Sequence, residues 1–154
     1  MARATRFSVA VHALALIDHF DGRRLTSESV ADSVGTNASF VRRLLAMLAR
    51  AEIVESSAGI AGARLARPAG KITLLDIYRA VDMEDEHRLA IHGNPNPRCA
   101  VGRYIEGALD AVIAPAEQAF ESQLRRCTLA DVTRLIAAKP NNPQMYLSRI
   151  QRQA

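Results

Sequence analysis

Two sets of residues in this chain have types and surroundings suited to chemistry. The first is a pair of widely separated cysteines, Cys99 and Cys127. Cys99 stands in "NPNPRCAVGRYIEG", with Arg98 and Arg103 close by. A thiol at a loop-to-helix junction, near basic side chains, has a lowered pKa, and the thiolate is the reactive form. Such a group reports oxidants, electrophiles or quinones. The alternative reading stays open beside it: an inert cysteine packed beneath a helix. Cys127, next to Arg126, reads as structural. The spacing is not that of a metal finger, and a disulfide is not expected in a reducing cytoplasm. Cys99 and His92 suggest a nucleophile and base, yet no third orienting group or oxyanion site accompanies them. The sequence also lacks a phosphate loop, an HExxH motif and a dinucleotide fingerprint. It therefore predicts no enzyme, no catalytic residue, no metal site and no cofactor.

The second set lies in "TNASFVRRLLAMLARAEIV", residues 36–54. At helical spacing Val41, Leu44, Leu45 and Leu48 share one face. Ser39, Arg43, Ala46 and Arg50 share the opposite one, with Arg42 on a flank. A helix that only fills a core needs the apolar stripe and little else. Arginine pairs bidentately with guanine, and serine reaches bases or phosphates. Small Ala38 and Ala46 permit close approach. The competing reading is an ordinary solvated face.

The elements around this helix decide how it is used. In "LTSESVADSVG" Thr26 or Ser27 caps a short helix, Val30, Ala31 and Val34 face inward, and Gly35 ends it. Thr36 and Asn37 then cap the arginine helix, which runs to about Ala51. Two helices joined by a short glycine-containing turn make a helix-turn-helix. The β-prone runs "IVES" and "ARLAR" flank a Gly- and Ala-rich turn and read as a hairpin, so the unit is a winged helix. The amide end of the short helix, near Ser27 and Glu28, suits a phosphate. Arg64 and Arg67 on the second strand point toward the DNA backbone or minor groove. The predicted DNA-contacting set is Thr26, Ser27, Thr36, Asn37, Ser39, Phe40, Arg42, Arg43 and Arg64.

Upstream, residues 5–20 form an amphipathic helix with Phe7, Val11, Leu14 and Ile17 on one face. Downstream, Thr73 caps a helix with Leu74, Ile77, Tyr78 and Val81 inward. An acidic stretch and an Asn/Pro-rich loop follow. Ala100 to Cys127 carries the longest helical pattern, which Pro115 should kink or split. At 1.5 Å per residue it reaches about 40 Å, too long for its own domain to cover, so a second copy of the chain is the expected cover. Residues 129–137 form a last short helix. The predicted division is 1–82, a DNA-binding winged helix-turn-helix; 83–99, a linker or sensor loop; 100–138, dimerisation helices; and 139–154, a tail. The fold class is mostly α with a small β-hairpin wing and a long C-terminal dimerisation helix.

Composition agrees with this plan. Of 154 residues 49% are apolar, too many for a disordered chain, and Trp is absent, so Ala, Leu, Ile and Val must build a helical core. The net charge is +4, and the excess lies in the first half: residues 1–80 hold 11 Lys+Arg against 7 Asp+Glu, while 81–154 hold 9 of each. A basic first half fits a polyanion such as double-stranded DNA. No stretch approaches the roughly 20 apolar residues that span a bilayer. The opening "MARATRFSVAVHALALIDHF" lacks a cleavage site and reads as a helix, not a signal peptide. A cytoplasmic protein without a membrane partner is expected.

The phrases "LTSESVADSVGTNASFVRRLLAMLARAEIVES" and "ARLARPAGKITLLDIYRAVD" resemble, in order, the IscR/NsrR/CymR-type (Rrf) family of bacterial winged-helix regulators, over roughly residues 5–137. The resemblance implies a homodimer joined through the long helix, and repression or activation at palindromic operators; a repressor is expected. The wing "SSAGIAGARL" departs from the family pattern, with Ala58 and Ala63 where a basic and an aromatic residue often stand. Iron–sulfur members carry three cysteines before the long helix. Here Cys99 resembles the last of them, and Gly102 stands where a histidine ligand can follow. One thiolate cannot hold a cluster, and His12, His87 or His92 would have to help. The expectation is thus a regulator sensing thiol-reactive signals through Cys99. The alternatives are a protein-binding winged helix, or a cluster-sensing regulator with non-cysteine ligands.

Overall fold

The computed structural model describes residues 3–20, 23–55, 62–81 and 91–138. Helix α1 (Arg3–His19) is the central core element, burying Val9, Ala10, Ala13, Leu14, Ala15 and Ile17. Its small residues let neighbours approach closely, and α2, α3, α4 and α6 all pack on it. Helix α2 (Ser27–Val34) starts at Thr26, whose hydroxyl accepts from the Ser29 amide at 3.2 Å. It stops at Gly35, which has φ +74°, the left-handed conformation that glycine adopts without penalty.

Helix α3 (Ala38–Arg50) is capped by Asn37, whose side-chain oxygen accepts from the Phe40 amide at 2.8 Å. Val41, Leu44, Leu45 and Leu48 are buried, as the spacing predicts. Strands β1 (Val54–Glu55) and β2 (Arg64–Leu65) pair antiparallel, Val54 opposite Leu65 and Glu55 opposite Arg64. Leu25 and Ala63 add a third rung through reciprocal bonds of 3.0 and 2.9 Å. The chain leading into α2 is thereby stitched to the wing. Gly62 makes this possible: at φ +92° a Cβ there would lie 2.9 Å from Arg24 backbone carbon. The wing tip, including Ala58, lies outside the described residues.

Helix α4 (Leu74–Val81) begins with a reciprocal cap. The Asp76 amide donates to the Thr73 hydroxyl at 3.1 Å, and the Thr73 amide donates to the Asp76 carboxylate at 3.0 Å. Its buried residues are Leu75, Ile77, Ala80 and Val81, while Leu74 and Tyr78 are half-buried. The predicted inward set was a single stripe. The actual one is broader because α4 meets α1, α3 and α5.

Helix α5 (Ile105–Arg126) starts five residues later than its apolar pattern, because residues 97–104 form successive turns. It runs unbroken through Pro115 and is not split there. None of its residues is buried. Its C-terminal part leans on α4, where Arg79 and Glu121 pair at 2.7 Å and the rings of Phe7, Tyr78 and Phe120 meet edge-on in series at 5.8 Å each. After α5 the chain returns to the body. The Leu74 amide donates to the Cys127 carbonyl and the Leu129 amide to the Ile72 carbonyl, both at 2.8 Å. Helix α6 (Leu129–Ala137) then packs on α1, with Leu129 wholly buried in the main core. The tail, 139–154, lies outside the described residues.

Candidate nucleic-acid interface and thiol turn

The outward side of α3 is built by the two caps that precede it. Gly35 reverses the chain, Asn37 fixes the first turn, and the buried stripe then sets the rotation of the whole helix. Ser39, Arg42, Arg43, Ala46 and Arg50 are consequently exposed. Thr26, Ser27, Thr36 and Phe40 are half-buried at the adjoining edge, and Asn37 is exposed.

The arginines are not equivalent. Arg42 is engaged by the Glu28 carboxylate across the α2–α3 angle, with both side chains largely exposed. Glu28 is held below the usual carboxylate range by its own backbone amide first and by Arg42 second. Arg64 donates to Glu55 through Nε at 2.8 Å and a terminal nitrogen at 2.7 Å, a pairing that stiffens the wing stem. Arg67 turns toward the start of α4, pairing with Asp76 at 3.2 Å, with Nε buried and unbonded. The sequence expectation placed Arg67 on the outer strand surface. The strand ends at Leu65, so Arg67 lies beyond it, and its side chain folds back onto the Thr73–Asp76 cap. Arg43 has no acidic partner among the described residues and stands beside Arg6 of α1, whose terminal nitrogen donates to the Val81 carbonyl at 3.0 Å.

Cys99 is exposed and sits at the head of a helical turn, its carbonyl accepting from the Arg103 amide at 3.0 Å. The amides of Gly102 and then Val101 donate to its sulfur and lower the thiol pKa. The cause is thus backbone amides, as the junction with a helical turn suggests, and not the flanking arginines that the sequence argument added to it. Arg103 instead donates to the Pro97 carbonyl at 3.2 Å. Glycine at 102 is obligatory for this turn, since a Cβ would lie 2.4 Å from the Asn96 carbonyl oxygen. Cys127 is half-buried and accepts from the Gln123 side chain at 3.6 Å.

These features define a class: a winged helix-turn-helix whose second helix presents a polar, basic face, joined to a long helix outside the core. Comparison with known proteins narrows it. Residues 3–135 match the Rrf2 family, described as an iron-dependent transcriptional regulator. The chain belongs to the Rrf2 family of DNA-binding transcription regulators. It is 42% identical over 128 residues to YwnA of Bacillus subtilis, assigned as an HTH-type transcriptional regulator, covering 83% of this chain and 94% of YwnA. A DNA-binding protein of known crystal structure is 38% identical, with TM-score 0.67, over 82% of this chain and 97% of that one. The IscR of T. potens shares the fold at 23% identity and TM-score 0.66, over 95% and 96% of the two chains.

The family description raises iron, and the donors can be tested against it. Cys99 lies in the turns before α5 and Cys127 just after its end, and the 22-residue helix between them is roughly 33 Å long at 1.5 Å per residue. His12 is on α1 within 3.3 Å of the Ser33 hydroxyl, and His92 is exposed. His87 lies outside the described residues. Among the described residues no three His, Cys, Asp or Glu side chains converge as a metal site. This donor set does not fit an iron–sulfur cluster, which takes about four cysteine-type ligands. Nor is any described helix long and apolar enough to cross a membrane.

Proposed function

We propose that the protein is a homodimeric repressor that inserts α3 into the major groove of a near-palindromic operator. The observation that carries this reading is Arg43, without an acidic partner among the described residues, beside exposed Ser39 and opposite a buried apolar stripe. Arg43 and Ser39 read base edges, with Arg42 contributing as it leaves Glu28. Thr26, Ser27, Thr36 and Asn37 present hydroxyls and amides to the phosphates, Phe40 backs the first turn, and Arg64 follows the backbone at the wing. Residues 1–82 form the DNA-binding head, 83–99 the sensor loop, and 100–138 the dimerising part, within which α6 buttresses the head. The exposed Val101, Tyr104 and Val112 supply the dimer seam, at 68%, 67% and 71% exposure. Cys99 is the signal input: its thiolate meets an oxidant or electrophile, and the new bulk or charge at the approach to α5 re-angles the two heads. The protein works in the cytoplasm, where the DNA is.

The deciding experiment is binding to the promoter region of its own gene and to random duplex, by wild type and Arg43→Ala. A loss of about 1–3 kcal/mol confined to the specific site supports base reading. An even loss on all sequences assigns Arg43 to phosphate. Unchanged affinity in the Arg42→Ala, Arg43→Ala double variant refutes the α3 interface and favours a winged helix that binds protein.

A further inference from the structure

Beside the DNA-facing side of α3 lies a hollow of about 320 Å³. Arg6, Asn37, Phe40, Arg43, Leu44 and Met47 line it. Its lining is mixed, with buried Leu44 and half-buried Phe40 and Met47 as the apolar part. Its polar groups are donors. Arg6 uses a terminal nitrogen on the Val81 carbonyl, and a guanidinium has five N–H groups, so others remain. Arg43 has no acidic partner among the described residues. The Asn37 oxygen is taken by the Phe40 amide, which leaves its NH₂ as the free end. No carboxylate is among the described lining residues. The volume falls at the small end of ligand pockets, which are typically about 300–1,000 Å³ and combine apolar walls with a few placed polar groups.

Two guanidinium groups beside an aromatic ring and a thioether define the occupant by chemistry. We infer that this hollow binds a small organic anion, a carboxylate on a ring-sized apolar body, held between Arg6 and Arg43. The carboxylate takes charge-assisted bonds from the two forks, and the apolar body covers Phe40 and Met47. Because Arg43 cannot serve the anion and a base edge together, occupancy lowers DNA affinity. That competition rests on the role proposed above for Arg43, whereas binding of the anion does not.

The test uses the full chain, benzoate as probe, and calorimetry at constant ionic strength. Benzoate should bind saturably, one per chain, and benzyl alcohol and sulfate should not. Arg43→Ala, at an exposed position, should bind about tenfold or more weakly, as expected when a charge-assisted bond is lost. Arg6→Gln should do the same, its circular dichroism confirming an intact fold. Benzoate should weaken duplex binding by wild type and leave that of Arg43→Ala unchanged. Absence of saturable heat, or equal binding by wild type and Arg43→Ala, overturns the inference. So does a result in which benzoate fails to bind while Arg6→Gln reduces the salt slope of duplex binding by about one, because the hollow is then a seat for a DNA phosphate. If benzoate binds and no duplex does, the pocket stands and the DNA reading falls.

Discussion

Glu28 and Gly102 are the residues whose roles the sequence hid most completely. Glu28 occupies the first turn of α2 and holds Arg42 across the helix pair. Replacing it with Gln removes one negative charge from the interface and releases a guanidinium. Affinity for random duplex should rise, with a steeper salt dependence, in an anisotropy titration. At Cys99 the sequence signalled a reactive thiol through a helix start and two nearby arginines, and of these it is the backbone amides, those of Gly102 and Val101, that supply the stabilisation. Lowering the pKa means that the thiolate appears earlier as pH rises. Alkylation of Cys99 by iodoacetamide should therefore reach half its limiting rate at a pH below that of an ordinary cysteine, about 8.5. Gly102→Ala pushes a methyl into the Asn96 carbonyl and should move that midpoint upward. An unmoved midpoint would remove the backbone amides as the cause.

Local rules made the helix-turn-helix legible. Thr26, Gly35 and Asn37 act within three or four residues of their own positions, so their types announced their roles. Helix α6 shows the opposite case. Its span, 129–137, was read from the sequence, and Thr128 and Asp131 cap each other at its start. Its packing on α1 was not, because the pairing of Thr73 with Thr128 joins distant parts of the chain and leaves no periodic trace. The beginning of α5 was misplaced because the apolar pattern continues from Ala100, while the Asn/Pro run and Gly102 bend the backbone into turns. The cap itself is testable. The Thr128 amide and then its hydroxyl hold the Asp131 carboxyl below its usual range. A carboxylate depressed by folding contributes stability above its unfolded pKa, near 3.9, and loses it as pH falls toward the folded value. Asp131→Asn should flatten the acid limb of the unfolding profile in that window. Thr128→Ala should cost about 1 kcal/mol in chemical denaturation at neutral pH.

On the scale of the molecule, a 22-residue helix with no buried side chain is unusual, and the exposed Val112 marks its free side. Val112→Glu should place a charge in the proposed seam and yield single chains in sedimentation, where wild type should run at twice the chain mass. The far end of α5 is fixed differently, by the strand-like pairing around Thr128 and by Leu129. Leu129→Ala should destabilise by about 2–5 kcal/mol through the cavity left in the core. That anchoring also dictates when the protein can be finished. During synthesis the head emerges first, yet the residue that closes its core arrives only after the entire lever has left the ribosome. Completion of the reading head and availability of the lever are therefore a single event in time. A nascent chain from which Leu129 has not yet emerged lacks the side chain that closes the core of its helix-turn-helix body.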